Sequence, residues 1–258
     1  MKRKLTEREL LKVTSDRKME VYKRDDMLQK GRHELSLQEQ RCVLYAISKI
    51  KPSDTVFEEY TFELSEFYKM CGLSKESYTD LKAILYGLRQ KSWWVDIDGE
   101  ESTVSWFNKV RTNKKNGTVT VRFDDDMMPF LLELSKQKAF YTHFQLKYIL
   151  PMKSQYAIRL YELLKSYQKN NLRWFFDIEE LKIRLNCENY SDFYDFKRRV
   201  LEPAVAEINQ YTDIIINWDT EKEGRKVTRI VFMMFHKKAN ELYNAEIEIS
   251  KELDGENK

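Results

Sequence analysis

The sequence predicts an α+β fold made of two tandem copies of one unit, each ordered helix, strand, helix, helix, β-hairpin. Three observations carry that prediction. Leu44-Tyr45-Ala46-Ile47 returns as Leu160-Tyr161-Glu162-Leu163, Tyr60-Thr61-Phe62-Glu63-Leu64 returns as Trp174-Phe175-Phe176-Asp177-Ile178, and Tyr78, Leu81 and Leu85 match Phe193, Phe196 and Val200, at offsets of about 114 to 116 residues. In each copy, apolar residues at helical spacing give way to alternating β-branched and aromatic residues. Each copy also ends in two strand patterns joined by a charged, glycine-containing turn. That order is a winged helix, in which a helix-turn-helix is backed by a small antiparallel sheet. The expected division is a basic N-terminal arm at 1–30, winged-helix domain 1 at 31–138, winged-helix domain 2 at 139–238 and an acidic tail at 239–258.

The arm holds a few apolar residues (Leu10, Leu11, Val13, Val21, Tyr22) among many charges, so part of it is expected to be helical and much of it to gain order only in context. Ser36-Leu37-Gln38-Glu39 is a capping box that opens a helix through Val43, Leu44, Ala46, Ile47 and Ile50, stopped by Pro52. A strand follows at Tyr60–Leu64, then a helix from Ser65 to near Gly72, then a helix from about Lys75 to Lys91 that buries Tyr78, Leu81, Ile84, Leu85 and Leu88. Strands are expected at Trp93–Ile97, Thr103–Arg111 and Thr118–Phe123, the last two joined by Asn113-Lys114-Lys115-Asn116-Gly117. Asp124-Asp125-Asp126 reads as a solvated strand end or cap before a helix through Leu131, Leu132 and Leu134. A linker near Ser135 to Tyr141 leads to Thr142-His143-Phe144-Gln145, which reads as the cap of a short connecting helix. The second copy then runs as a helix from about Ser154 to Gln168, a strand at Trp174–Ile178, a helix at Glu179–Leu185, a helix from Tyr190 onward, and strands at Ile214–Trp218 and Val227–Phe232.

Composition narrows the function. The net charge is +3, distributed as +5 over 1–32, −2 over 33–138, +4 over 139–238 and −4 over 239–258. The basic second half is a modest argument for nucleic acid, and the acidic end is expected to be a solvated tail, the alternative being a segment that competes with DNA for the basic surface. Cys42, Cys71 and Cys187 are odd in number and far apart, which fits a reducing cytoplasm and neither a disulfide framework nor a zinc knuckle. No apolar run approaches the length of a membrane span, so no membrane partner is expected. With seven glycines, no G-x-x-x-x-G-K-[ST] loop exists to cradle nucleotide phosphates. His33, His143 and His236 form no metal-holding pair. The expectation is therefore a protein without cofactor, metal or catalytic residues.

The chemistry points to Tyr190–Phe235. On a helical wheel Phe193, Phe196, Val200, Ala204 and Ile208 share one arc, while Arg198 and Arg199 fall away from it beside Ser191, Asp195 and Glu202. Lys197 lies at the apolar border, able to run its stem along the core edge. A basic outer face of this kind suits the major groove of double-stranded DNA. The hairpin tip Glu221–Lys226 offers Lys222, Arg225 and Lys226 to phosphates. Pro203 removes an N–H and clashes with the preceding turn, which predicts a bend in this helix.

The block Lys197-Arg198-Arg199-Val200-Leu201-Glu202-Pro203-Ala204 within Tyr190–Asp213 resembles the initiator Rep proteins of iteron-containing bacterial plasmids. Ser154-Gln155-Tyr156-Ala157-Ile158-Arg159-Leu160-Tyr161-Glu162-Leu163-Leu164 and Leu37-Gln38-Glu39-Gln40-Arg41 extend the resemblance to roughly residues 20–238. It implies two winged-helix domains, binding to direct repeats at an origin, opening of adjacent A/T-rich DNA, and recruitment of the host initiator and replicative helicase. It also implies a monomer–dimer equilibrium, with dimers repressing the initiator's own gene, the first domain supplying dimer contacts and the second the main base readout. Carried onto this chain, base readout falls to Tyr190, Ser191, Tyr194, Lys197, Arg198 and Arg199. Phosphate contacts fall to Lys153 and Ser154 at a helix start and to Lys222, Arg225 and Lys226. Secondary contacts fall to Lys75, Ser77, Lys82, Lys109, Arg111, Lys114 and Lys115. Two other readings use the same residues. A transcriptional regulator would read an operator without melting DNA; a nicking-joining enzyme would use one of the fifteen tyrosines and lacks the expected histidine pair.

Overall fold

The computed structural model describes residues 19–51, 54–66, 78–97, 99–113, 115–137, 139–169 and 171–254. Strand β1 (Glu20–Arg24) and helix α1 (Asp25–Lys30) open it. β1 pairs antiparallel with β7 (Tyr141–Gln145), from Glu20 opposite Gln145 to Arg24 opposite Tyr141. Two expectations of local structure are corrected here. Residues 20–30 of the arm are built into the fold, α1 being a helical part of the kind expected, and Thr142-His143-Phe144-Gln145 is a strand rather than a helix cap. The cause is alternation: β1 buries Val21 and Lys23, β7 buries Thr142 and Phe144, and the pair lies between the two halves. Lys23 is neutralised there by Glu162 at 2.8 Å. Burial lowers its pKa and the Glu162 carboxylate opposes that shift. Residues 1–18 of the expected arm lie outside the described residues.

In the first half, α2 (Leu37–Ile47) starts with the capping box: the Glu39 N–H donates to Ser36 Oγ at 3.3 Å and the Ser36 N–H to Glu39 Oε2 at 2.7 Å. β2 (Tyr60–Glu63), α3 (Tyr78–Gln90), β3 (Ser92–Ile97), β4 (Glu100–Ser105), β5 (Phe107–Asn113) and β6 (Thr118–Phe123) follow. Most of the helix expected from Ser65 to Gly72, together with Lys75 and Ser77, lies outside the described residues, as does Pro52. The strand expected over Thr103–Arg111 is two strands that part at Trp106. β4 pairs with β3 in a separate hairpin, while β5 joins a sheet of order β2-β6-β5. The Trp106 indole fills the corner, wholly buried and 4.7 Å from Trp93. Beyond β6 the Asp126 N–H donates to the Asp124 carboxylate at 3.2 Å, so this acidic run caps a 3-10 turn. The helix expected through Leu134 is instead the short α4 (Met128–Leu131), which ends as Leu132 turns extended.

The second half consists of α5 (Gln155–Gln168), β8 (Arg173–Asp177), α6 (Ile178–Leu185), α7 (Phe193–Phe196), α8 (Glu202–Tyr211), β9 (Ile214–Glu223) and β10 (Lys226–His236), with sheet order β8-β10-β9. The hairpin strands run further than expected, because Lys226 pairs with Glu223 and leaves a turn of Gly224 and Arg225 alone. Gly224 has φ 61°, the positive value that a two-residue hairpin turn with glycine first requires. The acidic tail is corrected as well. Over Ala239–Asp254 it forms α9, which buries Ala245, Ile249 and Leu253 instead of ending in solvent.

The repeated positions of both halves lie in one hydrophobic core. Tyr45 and Tyr161 are wholly buried, as are Phe62 and Phe176 to within a few per cent, and Leu81 and Leu85 match buried Phe196 and Val200. Each such side chain contributes about 1.5–3 kcal/mol through its burial. Among the described residues no helix is long and apolar enough to cross a membrane.

Candidate nucleic-acid interface

α6 and the helical segment beginning at α7 form the helix-turn-helix of the second half. α6 stops at Asn186, whose φ of 52° is a left-handed conformation that asparagine tolerates. Its amide also donates to the His33 carbonyl at 2.8 Å, tying the turn to the segment between α1 and α2. Lys182, almost wholly buried, donates to Glu179 at 3.0 Å and to the Ser191 carbonyl at 3.5 Å, which props the turn from below. Asp192 then caps α7 by accepting from the Asp195 N–H at 3.1 Å.

Between α7 and α8 the chain stays helical but widens into a π turn over Lys197–Leu201, where the Glu202 N–H donates to the Lys197 carbonyl. This π turn lies just before Pro203, where a bend is expected. Proline cannot donate and crowds the carbonyl one turn back, and a wider turn relieves both problems just before the ring. Phe196, Val200, Ala204 and Ile208 are wholly buried on the core side, as the helical wheel predicts, while Phe193, on the same predicted arc, is only partly buried against the core. Tyr194, Arg198 and Arg199 stand on the exposed side.

The cations of this helix are all paired. Arg198 and Arg199 each reach the Asp195 carboxylate at 3.3 Å, and Arg198 also lies 5.8 Å from the Tyr194 ring. Lys197 is half-buried, 3.4 Å from Glu202 and 5.7 Å from the Trp218 ring on β9. Ser191 is exposed, and Tyr190 packs edge-on against Tyr156 with ring centroids 6.5 Å apart. The wing differs. Lys222, Arg225 and Lys226 are exposed at its tip with no ion pair among the described residues.

Ser154 caps α5 as expected, accepting from the N–H groups of Tyr156 and Ala157 at 3.2 and 3.4 Å. The phosphate site expected there is revised. The N–H groups of Lys153 and Ser154 already donate to the Glu207 carboxylate at 3.1 Å, and the Lys153 ammonium pairs with Glu252 of α9 at 2.8 Å. Burial raises the Glu207 pKa against the pull of those two N–H groups, and Glu252 raises that of Lys153. In the first half, Lys82 and Lys115 are exposed, whereas Lys109 and Arg111 on β5 share Glu59 at 2.5 and 3.2 Å. Lys114, like Lys75 and Ser77, lies outside the described residues.

Sequence reasoning set Asp195 and Glu202 on the helix without assigning them a partner, and it missed Glu207 and Trp218. The acid-to-base spacing of three and four residues from Asp195 to Arg198 and Arg199 was the available signal. Nothing local in the sequence announces Glu207.

Comparison with known proteins matches both halves. Residues 20–165 fit the family described as initiator replication protein, WH1, and residues 177–234 fit initiator Rep protein, WH2. The PI protein of Escherichia coli is 30% identical over 206 residues, which is 73% of this chain and 66% of that relative, just under two thirds of its length. The crystal structure of the Pi initiator protein in complex with iteron DNA aligns with a TM-score of 0.61 at 21% identity, covering 86% of this chain and 99% of that one. With WH1 and WH2 matched in order along its length, the chain belongs to the initiator Rep protein family and carries two winged-helix domains.

Proposed function

We propose that this protein is a plasmid replication initiator that binds direct repeats at an origin, opens the adjacent A/T-rich segment and recruits host replication proteins. The observation that carries the reading is the pairing of an exposed Tyr194-Arg198-Arg199 helix face with a basic wing tip that has no ion pair among the described residues, in a chain of the initiator Rep family. Base readout falls to Tyr190, Ser191, Tyr194, Lys197, Arg198 and Arg199, and phosphate contact to Lys222, Arg225 and Lys226. The domain at 139–238 supplies the main recognition. The domain at 31–138 supplies self-association and weaker contacts through Lys82 and Lys115, its Lys109 and Arg111 being engaged by Glu59. As a dimer the protein represses its own gene. Binding energy deforms the DNA and host proteins supply the chemistry, so no catalytic residue is assigned.

The test is permanganate footprinting of supercoiled plasmid carrying the DNA that flanks the gene. Reactive thymines in an A/T-rich tract beside protected tandem repeats support initiation. Protection without reactive thymines supports the regulator reading instead.

A further inference from the structure

Asp195 faces solvent one turn before the basic cluster, and its Oδ1 lies 3.3 Å from both Arg198 Nη2 and Arg199 Nε. This arrangement opposes simple charge attraction. Acids on a DNA-facing helix weaken its pull on phosphates, yet Asp195 and Glu202 pair every cation of the Lys197-Arg198-Arg199 cluster while the wing-tip cations stay unpaired among the described residues. The division of labour is chemical. Arg199 is held through Nε, which leaves both of its Nη groups free to donate side by side; Arg198 is held through one Nη, which leaves its other Nη and its Nε.

We propose that Asp195 is a specificity-determining residue of the DNA contact, acting by positioning Arg198 and Arg199; this rests on the reading that their helix face meets the bases. The carboxylate restrains two long side chains before DNA arrives, so less rotamer freedom is lost on contact. A guanine edge accepts two hydrogen bonds from a guanidinium that keeps its bond to Asp195. A phosphate on non-cognate DNA meets two guanidiniums whose charge is partly offset by the one carboxylate they share. Asp195 therefore penalises wrong sequences more than right ones, which is discrimination by repulsion.

The experiment compares the unaltered protein with Asp195→Asn, Asp195→Ala and Asp195→Glu on a selected duplex and on its scrambled counterpart, across a salt titration, with thermal melting as the control. Asp195→Asn and Asp195→Ala are expected to bind scrambled DNA roughly threefold to tenfold more tightly, with a salt slope steeper by about one, and the selected duplex no more tightly than before. The specificity ratio falls, and Asp195→Glu restores most of it. An equal rise on both duplexes would mean bulk charge alone and would overturn the proposal. An equal loss on both with a lowered melting temperature would mean a structural role and would overturn it too. If the unaltered protein prefers no duplex, the DNA-reading assignment itself fails.

Discussion

Replacing Lys23 by methionine tests how the two halves are joined. Lys23 on β1 and Glu162 on α5 meet at 2.8 Å with each side chain only 2% exposed. At that separation of 2.8 Å the Coulomb attraction is about 6 kcal/mol for an effective dielectric of about 20. Desolvation costs several kcal/mol per ion, so the pair itself is close to neutral against an apolar alternative. Removing one partner is not neutral. Lys23→Met loses the attraction and leaves Glu162 charged in the interior, a loss of about 3–5 kcal/mol. Urea unfolding at fixed salt and protein concentration measures it, in a double-mutant cycle with Glu162→Gln. The double variant should recover most of the loss, giving a coupling above about 2 kcal/mol, nearly unchanged at high salt because a buried pair is weakly screened. A Lys23→Met cost below about 1 kcal/mol, or singles that simply add, would refute the buried joint.

Three further outcomes follow from the same geometry. Arg198→Ala should weaken binding to the selected duplex by about 1–3 kcal/mol and relax preference at one base pair, read by competition against single-base variants; unchanged affinity and preference would remove Arg198 from the base contact. Lys226→Ala should weaken all sequences alike and flatten the salt slope by about one, as a wing-tip phosphate contact requires. His33 is buried against Trp93 and Trp106, neither ring nitrogen has a hydrogen-bond partner among the described residues, and burial holds its pKa well below 6.5. The unfolded chain therefore takes up a proton below 6.5 that the folded one refuses, so stability falls as pH drops through that range. Between pH about 7 and about 5.5 the loss is about 1 kcal/mol, and His33→Phe should abolish it in urea unfolding at the two pH values.

Much of the fold was legible because its signals are local. The Ser36–Glu39 capping box, the wheel of Phe196, Val200, Ala204 and Ile208, and the glycine of the hairpin turn each depend on neighbours within a few residues. What was missed depends on distant partners. β1 reads as an arm because its inward residues include a lysine, and the distant Glu162 makes that lysine tolerable in the interior. Thr142-His143-Phe144-Gln145 mimics a helix cap, and its strand identity comes from pairing with β1. The acidic tail reads as solvated, yet its spaced Ala245, Ile249 and Leu253 find a core once the helix packs back against α8. The recognition side chains were read from their own segment. The Asp195 pairs lie at helical spacing within that segment, whereas the Glu207 contact at the start of α5 required the folded chain.

The most direct test of the central claim is selection of bound duplexes from a random DNA library, followed by footprinting of their matches around the gene. The account predicts enrichment of one motif that recurs as tandem direct repeats beside an A/T-rich tract, with Arg198→Ala losing the enrichment at one position. A lone inverted repeat over a promoter would contradict the initiator reading, and no enrichment at all would contradict the claim that this helix and wing read sequence.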